Sequence, residues 1–281
     1  MVKVVHQLRE LRQLLGALGP TSFVPTMGNL HEGHLDLVER AATFSQPTVV
    51  SIFVNPLQFA PHEDFNAYPR TRDADLAKLE AKNVDIAFVP LVSEIYPEAQ
   101  SCFIQPADSL GSILEGAARP GFFTGVATVV LKLFNMVRPA RAIFGAKDLQ
   151  QVRVVEAMCR QLALDIEIVV NPTSRAADGL ALSSRNGYLN PAERAEAPRL
   201  FRVLREMARA VGEGDTRFLQ LEHRASAELI KHGWAVDYIS VRRLIDLEPP
   251  SLIDRESLAI LGAAKLGNTR LIDNVEVDRR R

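Results

Sequence analysis

The sequence predicts an α/β protein, with a Rossmann-like parallel sheet in an N-terminal domain and a smaller α+β domain after it. Up to about residue 170, short β-branched runs alternate with amphipathic stretches, which is the order of βαβ units with right-handed crossovers. After Asn171-Pro172-Thr173 the order changes to two long amphipathic helices and then three strands. We therefore expect residues 1–175 to form the first domain and residues 176–281 a second domain that closes over the site.

Five runs are predicted strands of the parallel sheet. They are Thr21–Pro25, Pro47–Val54, Val84–Pro90, Arg141–Gly145 and Asp165–Val170. The run Val49–Val54 is almost continuously apolar, as expected of a strand that helices cover on both faces. Because ligands of such open sheets bind beyond the carboxyl ends of the strands, motifs that directly follow these runs are the candidates for function.

The helices of both domains and the strands of the second domain are predicted from the periodicity of apolar residues. The helices are Leu35–Phe44, Arg72–Lys82, Gly125–Val137 and Asp148–Leu162, then Pro191–Val211 and Thr216–His232; the later strands are Val236–Arg242, Leu258–Ala264 and Leu271–Val277.

Composition excludes several classes of protein. The 33 basic and 34 acidic residues give a net charge of −1, without the basic excess that nucleic-acid or membrane-surface binding requires. No apolar run approaches the ~20 residues of a membrane span, and the N-terminus lacks a signal-peptide pattern. Two cysteines, Cys102 and Cys159, suit a reducing compartment. We expect a cytoplasmic protein with neither a nucleic-acid nor a membrane partner.

The first motif, Pro25-Thr26-Met27-Gly28-Asn29-Leu30-His31-Glu32-Gly33-His34, leaves a predicted strand and enters a helix. A helix N-terminus attracts anions, and Gly28 and Gly33 would let a phosphate approach the backbone. His31 and His34 share one helix face, from which both could donate to phosphate oxygens, more strongly when protonated. Alternatively, one histidine caps the helix and the other packs locally, or the pair binds a metal with a further ligand.

Two more motifs follow predicted strands. Gln58 comes after the turn at Asn55-Pro56, and its amide suits a ligand with hydroxyl and carboxylate groups, the alternative being a satisfied loop amide. In the run Gly145-Ala146-Lys147-Asp148, the lysine could reach phosphates as a point charge. The aspartate could accept from ribose hydroxyls, or it could instead cap the next helix. Gln151 lies three residues later and would point back toward the site.

The fourth motif lies near the proposed domain boundary. The loop after Ser174 contains Ser183, Ser184 and Arg185. Two hydroxyls, backbone N–H groups and a guanidinium can together clamp pyrophosphate oxygens. In this position the loop could close over a nucleotide and exclude water. The alternative is a flexible polar linker.

The four motifs resemble those of known protein families. HEGH at residues 31–34 is similar to the HIGH-type signature of nucleotidyltransferases and class I aminoacyl-tRNA synthetases, and the ten-residue run around it resembles pantothenate synthetases (pantoate–β-alanine ligases). The likeness covers about residues 21–277, with the four motifs in order. The chain departs from the family pattern at Phe122-Phe123-Thr124, where His-Phe-Arg is frequent, and at Ala146, where Glu is common.

The resemblance implies ATP-dependent condensation of (R)-pantoate with β-alanine through a pantoyl-adenylate, releasing AMP and pyrophosphate, in a homodimer. Mg²⁺ would accompany ATP without a metal site in the protein. We expect Asp73 and Asp75 to be solvated carboxylates at a helix start; alternatively, they could assist in binding Mg²⁺. His34, His31 and Lys147 are the implied catalytic residues.

The resemblance also implies two sets of binding residues. Those for ATP are Met27, Gly28, His31, His34, Gly145, Lys147, Asp148, Ser174, Leu182, Ser183, Ser184 and Arg185; those for pantoate or β-alanine are Pro25, Met27, Gln58 and Gln151. Three rival hypotheses stay open: another HxGH nucleotidyltransferase with a different small substrate, a class I aminoacyl-tRNA synthetase, and a non-catalytic nucleotide-binding regulator.

Overall fold

A computed structural model describes residues 1–60, 65–251 and 256–279. In the first part of the chain the elements are β1 (Lys3–Val5), α1 (Leu8–Gly16), β2 (Ser22–Thr26), α2 (Glu32–Ala42), β3 (Thr48–Ile52), α3 (Arg72–Ala81), β4 (Ile86–Phe88), α4 (Val92–Ile95), α5 (Asp108–Gly111), α6 (Glu115–Ala118), α7 (Phe122–Val137), β5 (Arg141–Gly145), α8 (Leu149–Gln161) and β6 (Glu167–Asn171). They are followed by α9 (Pro191–Glu196), α10 (Arg199–Gly212), α11 (Phe218–Lys231), β7 (Trp234–Arg243), β8 (Leu258–Leu266) and β9 (Thr269–Val277).

The first six strands form one parallel sheet in the order β1-β4-β3-β2-β5-β6. The chain runs outward from β2 through β3 to β4, and then returns to place β5 on the other side of β2. The strand order therefore reverses between β2 and β5, and the crevice beyond their carboxyl ends is where an open α/β sheet binds its ligands.

Helices cover both faces of this sheet, as the apolar run at residues 49–54 predicts. Phe23 and Val49 belong to the larger core with residues of α1, α7 and α8. Their neighbours Val24 and Val50 belong to the opposite core with residues of α2 and α3. Successive strand residues point to opposite faces, so consecutive apolar residues of one strand pack against different layers of helices.

The second sheet is antiparallel, in the order β7-β8-β9, and α10 and α11 pack with it in a separate core. The single helix predicted over Pro191–Val211 is wrong: α9 ends at Glu196 and α10 starts at Arg199, with Pro198 as its N-cap residue. The proline has no N–H to donate and its ring crowds the preceding turn, so the chain bends there.

Two elements near the N-terminus, β1 and α1, were not predicted. A strand of three residues is too short to show a period, and β1 is defined by its pairing with β4, more than 80 residues later. The parallel sheet ends at Asn171, while Ala176 and Leu180 already pack in the second core; the division at residue 175 stays a prediction. In the described ranges no helix is both long and apolar enough to cross a bilayer.

Close contact between α7 and the turn at residues 55–58 gives a test of the packing. A Cβ on Gly125 would lie 2.2 Å from the carbonyl oxygen of Leu57, so Gly125→Ala must push the helix and the turn apart. We expect this overpacking to lower the free energy of unfolding by about 1–3 kcal/mol in urea titrations. Gly16→Ala is the control, because nothing lies within 4 Å of its added Cβ; equal stabilities of the two variants would contradict the packing.

Candidate active site

A cavity of about 1100 Å³ lies at the carboxyl ends of β2 and β5 and extends to β9 of the second sheet. All the predicted site residues except Gly28 line it: Pro25, Met27, His31, His34, Gln58, Gly145, Lys147, Asp148, Gln151, Ser174, Leu182, Ser183, Ser184 and Arg185. Motifs separated by more than 150 residues of chain therefore share one space.

His31 and His34 stand at the start of α2, where His31 is the N-cap residue. Their ring centroids are 4.0 Å apart, and the backbone N–H of His31 donates to Nδ1 of His34 at 3.4 Å. His34 thus helps to cap the helix and still lines the cavity, so the capping alternative and the phosphate hypothesis are compatible. With Nδ1 accepting, Nε2 carries the proton of a neutral His34 ring.

Burial controls the charge of both rings. Burial, with smaller contributions from the neighbouring His31, Lys147 and Lys78, lowers the pKa of His34 to about 3. Burial also lowers the pKa of His31 to about 4, assisted by Lys147 and Lys78. Without a bound anion both imidazoles are neutral at pH 7, so the stronger, protonated donors considered from sequence are absent from the free protein. Lys147 supplies positive charge beside them.

The glycines of the first motif have different tasks. A Cβ on Gly33 would lie 3.0 Å from the His31 ring and 3.5 Å from the Leu182 side chain, so its absence lets the later loop approach the histidines. Gly28 has a φ of +82°, and its Cβ would meet Ile52 and Asp75. Gly28 makes the turn possible on the side facing the protein interior and does not line the cavity; its contact with nucleotide stays a prediction.

Asp75 corrects the expectation of a solvated carboxylate at a helix start. Its side chain is fully buried and accepts from the backbone N–H groups of Asn29 at 2.9 Å and Leu30 at 2.8 Å. The hydroxyl of Thr71 donates to it at 3.1 Å. The carboxylate therefore holds the turn that leads into His31. Its partners lie about 45 residues away in the chain, so no local sequence pattern reveals the role; Asp73, in contrast, is exposed as expected.

Gln58 ends a short 3-10 turn and is oriented by Asn55, whose importance sequence reasoning missed. Asn55 is almost completely buried; its Nδ2 donates to Oε1 of Gln58 at 3.1 Å and to the carbonyl of Gly125 at 3.1 Å. The hydroxyl of Tyr96 donates to Oδ1 of Asn55 at 2.7 Å. Since its Oε1 is engaged, Gln58 presents Nε2 to the cavity, 2.9 Å from Sδ of Met27.

Lys147 and Asp148 lie on a 3-10 turn between β5 and α8. Nζ of Lys147 is 3.8 Å from the Asp148 carboxylate, and the Lys147 side chain is only 18% exposed against 48% for Asp148. Asp148 occupies the N-cap position of α8 but makes no capping hydrogen bond with its side chain. That carboxylate remains available at the edge of the cavity, which agrees better with the ribose hypothesis than with the capping alternative.

The loop of the fourth motif is ordered by local hydrogen bonds. The N–H of Leu182 donates to the carbonyl of Ser174 at 2.9 Å, and the N–H of Arg185 donates to Oγ of Ser183 at 3.3 Å. Oγ of Ser184 lies 3.3 Å from the hydroxyl of Tyr68 across the cavity. These contacts give the segment a defined path along the cavity wall, unlike a flexible linker.

Comparison with known proteins gives the family. The family model for pantoate-beta-alanine ligase matches residues 2–276. The structure of pantothenate synthetase from Thermus thermophilus is 43% identical, with a TM-score of 0.90, and the match covers 99% of this chain and 100% of that one. A pantoate-beta-alanine ligase from Francisella tularensis, complexed with beta-gamma ATP and beta-alanine, is 30% identical with a TM-score of 0.82, covering 100% and 99%.

The chain belongs to the pantoate–β-alanine ligase family. Of its departures from the family pattern, Phe122 lines the cavity, whereas Thr124 and Ala146 do not. The ring of Phe122 lies 3.8 Å below the guanidinium of Arg119, which donates to the carbonyl of Gln58 at 3.1 Å. The hydroxyl of Thr124 donates to Gln105 at 2.7 Å. Phe122 therefore helps to support the turn that carries Gln58 through a cation–π contact.

Asp75→Asn tests the buried carboxylate. The amide has one acceptor where the carboxylate has two, so one backbone N–H of the Asn29-Leu30 pair would face an NH₂ group. We expect the free energy of unfolding to fall by about 1–3 kcal/mol, the cost of an unsatisfied buried donor. Urea denaturation measures it, with Asp73→Asn, an exposed carboxylate in the same helical turn, as the matched control. Equal, small effects would contradict the buried role.

The histidines predict a loss of stability in acid. Their folded pKa values lie below the ordinary value of 6.5, so the unfolded chain takes up protons first. The stabilisation is complete above pH 6.5 and declines as the pH falls from there, toward 4 for His31 and toward 3 for His34. From His34 alone, we expect the free energy of unfolding to be about 2 kcal/mol lower at pH 5 than at pH 7.5. Urea titrations at the two pH values should show a smaller fall in the free energy of unfolding for His34→Asn than for the wild type. An identical fall in both proteins would exclude a buried neutral His34 ring.

Proposed function

We propose that this protein condenses (R)-pantoate with β-alanine at the expense of ATP, through a pantoyl-adenylate, and releases pantothenate, AMP and pyrophosphate. The observation that supports it most is the convergence of the two histidines, Lys147 and the loop of residues 183–185 on one cavity, in a chain that matches the ligase family over residues 2–276.

The first step needs charge stabilisation more than acid–base chemistry. The carboxylate of pantoate is ionised at neutral pH, so its oxygen can attack the α-phosphorus of ATP without a general base. Catalysis then consists of positioning the reactants and offsetting charge on the phosphates. We assign that task to Lys147 as the cation, to His31 and His34 as neutral N–H donors, and to Ser183, Ser184 and Arg185 at the pyrophosphate.

The remaining residues are assigned to the nucleoside and the acids. We place the adenosine part of ATP against Met27, Gly145, Asp148, Ser174 and Leu182, with the Asp148 carboxylate accepting from ribose hydroxyls. Pantoate would lie against Pro25, Met27, Gln58 and Gln151, where Nε2 of Gln58 donates to it. After adenylation, the neutral amine of β-alanine attacks the mixed anhydride carbonyl, and AMP leaves.

Mg²⁺ enters this scheme with ATP. Among the described residues no three His, Cys, Asp or Glu side chains converge to hold a metal ion. Mg²⁺ is commonly bound by substrate phosphates and water with few protein ligands. Bound in this way, the ion would offset charge on the leaving pyrophosphate.

We also propose the two-domain division at residue 175, with the second domain closing over the nucleotide, and a cytoplasmic homodimer. Support for closure is that the cavity has walls from both sheets. Both cysteines are free thiols, which agrees with a reducing compartment. The dimer rests on the family likeness.

One assay separates this activity from its rivals. Purified protein is mixed with ATP, Mg²⁺, pantoate and β-alanine, and AMP is followed. AMP formation that requires both acids supports the ligase. AMP or pyrophosphate released with another small acceptor and without pantoate would support a different HxGH nucleotidyltransferase, and binding of ATP without turnover would support a regulator; either result overturns the proposal.

Removal of the phosphate-facing groups should slow adenylation strongly without unfolding the protein. We expect His34→Ala and Lys147→Ala to raise the barrier by about 2–4 kcal/mol each, as for a lost charge-stabilising donor. Pantoate-dependent exchange of labelled pyrophosphate into ATP measures that step. The matched controls are His223→Ala and Lys231→Ala on α11, away from the cavity, which should retain full exchange. Near-normal exchange in either site variant would refute the assignment.

A further inference from the structure

Strand β9 of the second sheet reaches across to the turn that carries Lys147. The Asn274 side chain is 5% exposed, and its Nδ2 donates to two backbone carbonyls, of Ala146 at 2.8 Å and of Lys147 at 2.9 Å. Both N–H groups of the Asn274 amide therefore donate to backbone carbonyls of the 3-10 turn between β5 and α8. Asn274 lies 128 and 127 residues along the chain from the two residues whose carbonyls it contacts.

Asn274 is itself held firmly. Its N–H donates to Oδ1 of Asp273 at 2.8 Å, and the Asp273 carboxylate accepts from both Nη atoms of Arg175, at 2.6 and 2.9 Å. Nη2 of Arg175 also donates to the carbonyl of Asn274 at 3.2 Å. The guanidinium lies 3.7 Å over the Phe201 ring. Both ends of the Asn274 backbone are thus fixed by a buried ion pair that is stacked on an aromatic ring.

The position of Lys147 matters because its ammonium lines the same cavity as both histidines. Its charge lowers the pKa of His31 and of His34, and its side chain is mostly enclosed by the cavity. An ammonium is a point charge on a flexible stem, so its position depends on the backbone that bears it. A displacement near 1 Å at a reacting centre can cost about 100-fold in rate.

We infer that Asn274 is a positioning residue, which fixes the turn of Lys147 and makes the placement of the phosphate-facing ammonium depend on docking of the second sheet. This inference rests on the proposed function only for its rate readout. Without the amide, two buried carbonyls lose their donor, and the turn relaxes to regain one elsewhere. The proposed contact of Gln58 with pantoate would be unaffected, because Gln58 lies on the separate 3-10 turn after β3.

A double-mutant cycle tests whether Asn274 acts through Lys147. Asn274→Leu has a similar size and no donor. We expect it to lower kcat for pantoate-dependent pyrophosphate exchange by about 10–100-fold, with the KM for pantoate within about twofold of wild type. In a Lys147→Ala background the same substitution should add less than about twofold, since coupled sites are not additive. An equal loss in both backgrounds, or full activity of Asn274→Leu, would overturn the inference.

A control and a second measurement separate positioning from general destabilisation. Leu229→Ala removes a fully buried side chain of the second core, away from the cavity, and should keep kcat at a temperature where both variants are folded. Deuterium exchange of the amides at residues 146–150 should be faster in Asn274→Leu than in Leu229→Ala. Equal exchange would count against positioning, whatever the enzyme's substrate. If wild-type protein showed no pantoate-dependent exchange, the proposed function would fail, while the amide measurement would still decide the role of Asn274.

Discussion

Parallel pairing of β2 with both β3 and β5 is the constraint on which the site depends. The pairing aligns Pro25 with Ser51 and Ser22 with Arg141, so the three strands end at the same edge of the sheet. The segments that follow them carry the histidine pair, Gln58 and Lys147 respectively. A slip of one residue in this register would turn Phe23 and Val24 to the wrong helical layers, and the two cores on the faces of the sheet oppose such a slip. The buried packing therefore also sets the spacing of the polar groups at the edge.

The electrostatics of the cavity follow from burial. Charging two adjacent imidazoles beside Lys147 would place three cations in a space that excludes much of the solvent, and desolvation disfavours this. The free protein instead keeps both rings neutral. A polyanionic nucleotide bound in this cavity, as we propose, would offset the charge of Lys147 and favour N–H donation from the rings. The two histidines would then interact with the phosphates without being protonated in the free protein.

The second sheet is fastened to the first by buried polar contacts as well as by apolar packing. Glu115 accepts from both Nη atoms of Arg270, at 2.6 and 2.8 Å, and from the hydroxyl of Tyr238 at 2.9 Å. Burial and the adjacent Glu115 carboxylate raise the pKa of Tyr238, which keeps its hydroxyl a donor. Directional contacts of this kind specify one orientation of the two sheets, which apolar surfaces alone define less sharply. Asn274 belongs to the same boundary.

The sequence by itself determined the α/β class, the strands β2 to β6, the helices α2, α3, α7, α8 and α11, and the grouping of the four motifs at one edge. These features depend on local periodicity and on the rule that parallel strands end together. The same local reasoning failed at Pro198, whose helix-breaking effect outweighed the amphipathic period. Tertiary structure alone decided the roles of Asp75, Asn55 and Asn274: each is a polar side chain buried against backbone or side-chain groups distant in the chain. In sequence such residues resemble ordinary surface polar groups, since burial and partners over long separations are properties of the folded chain.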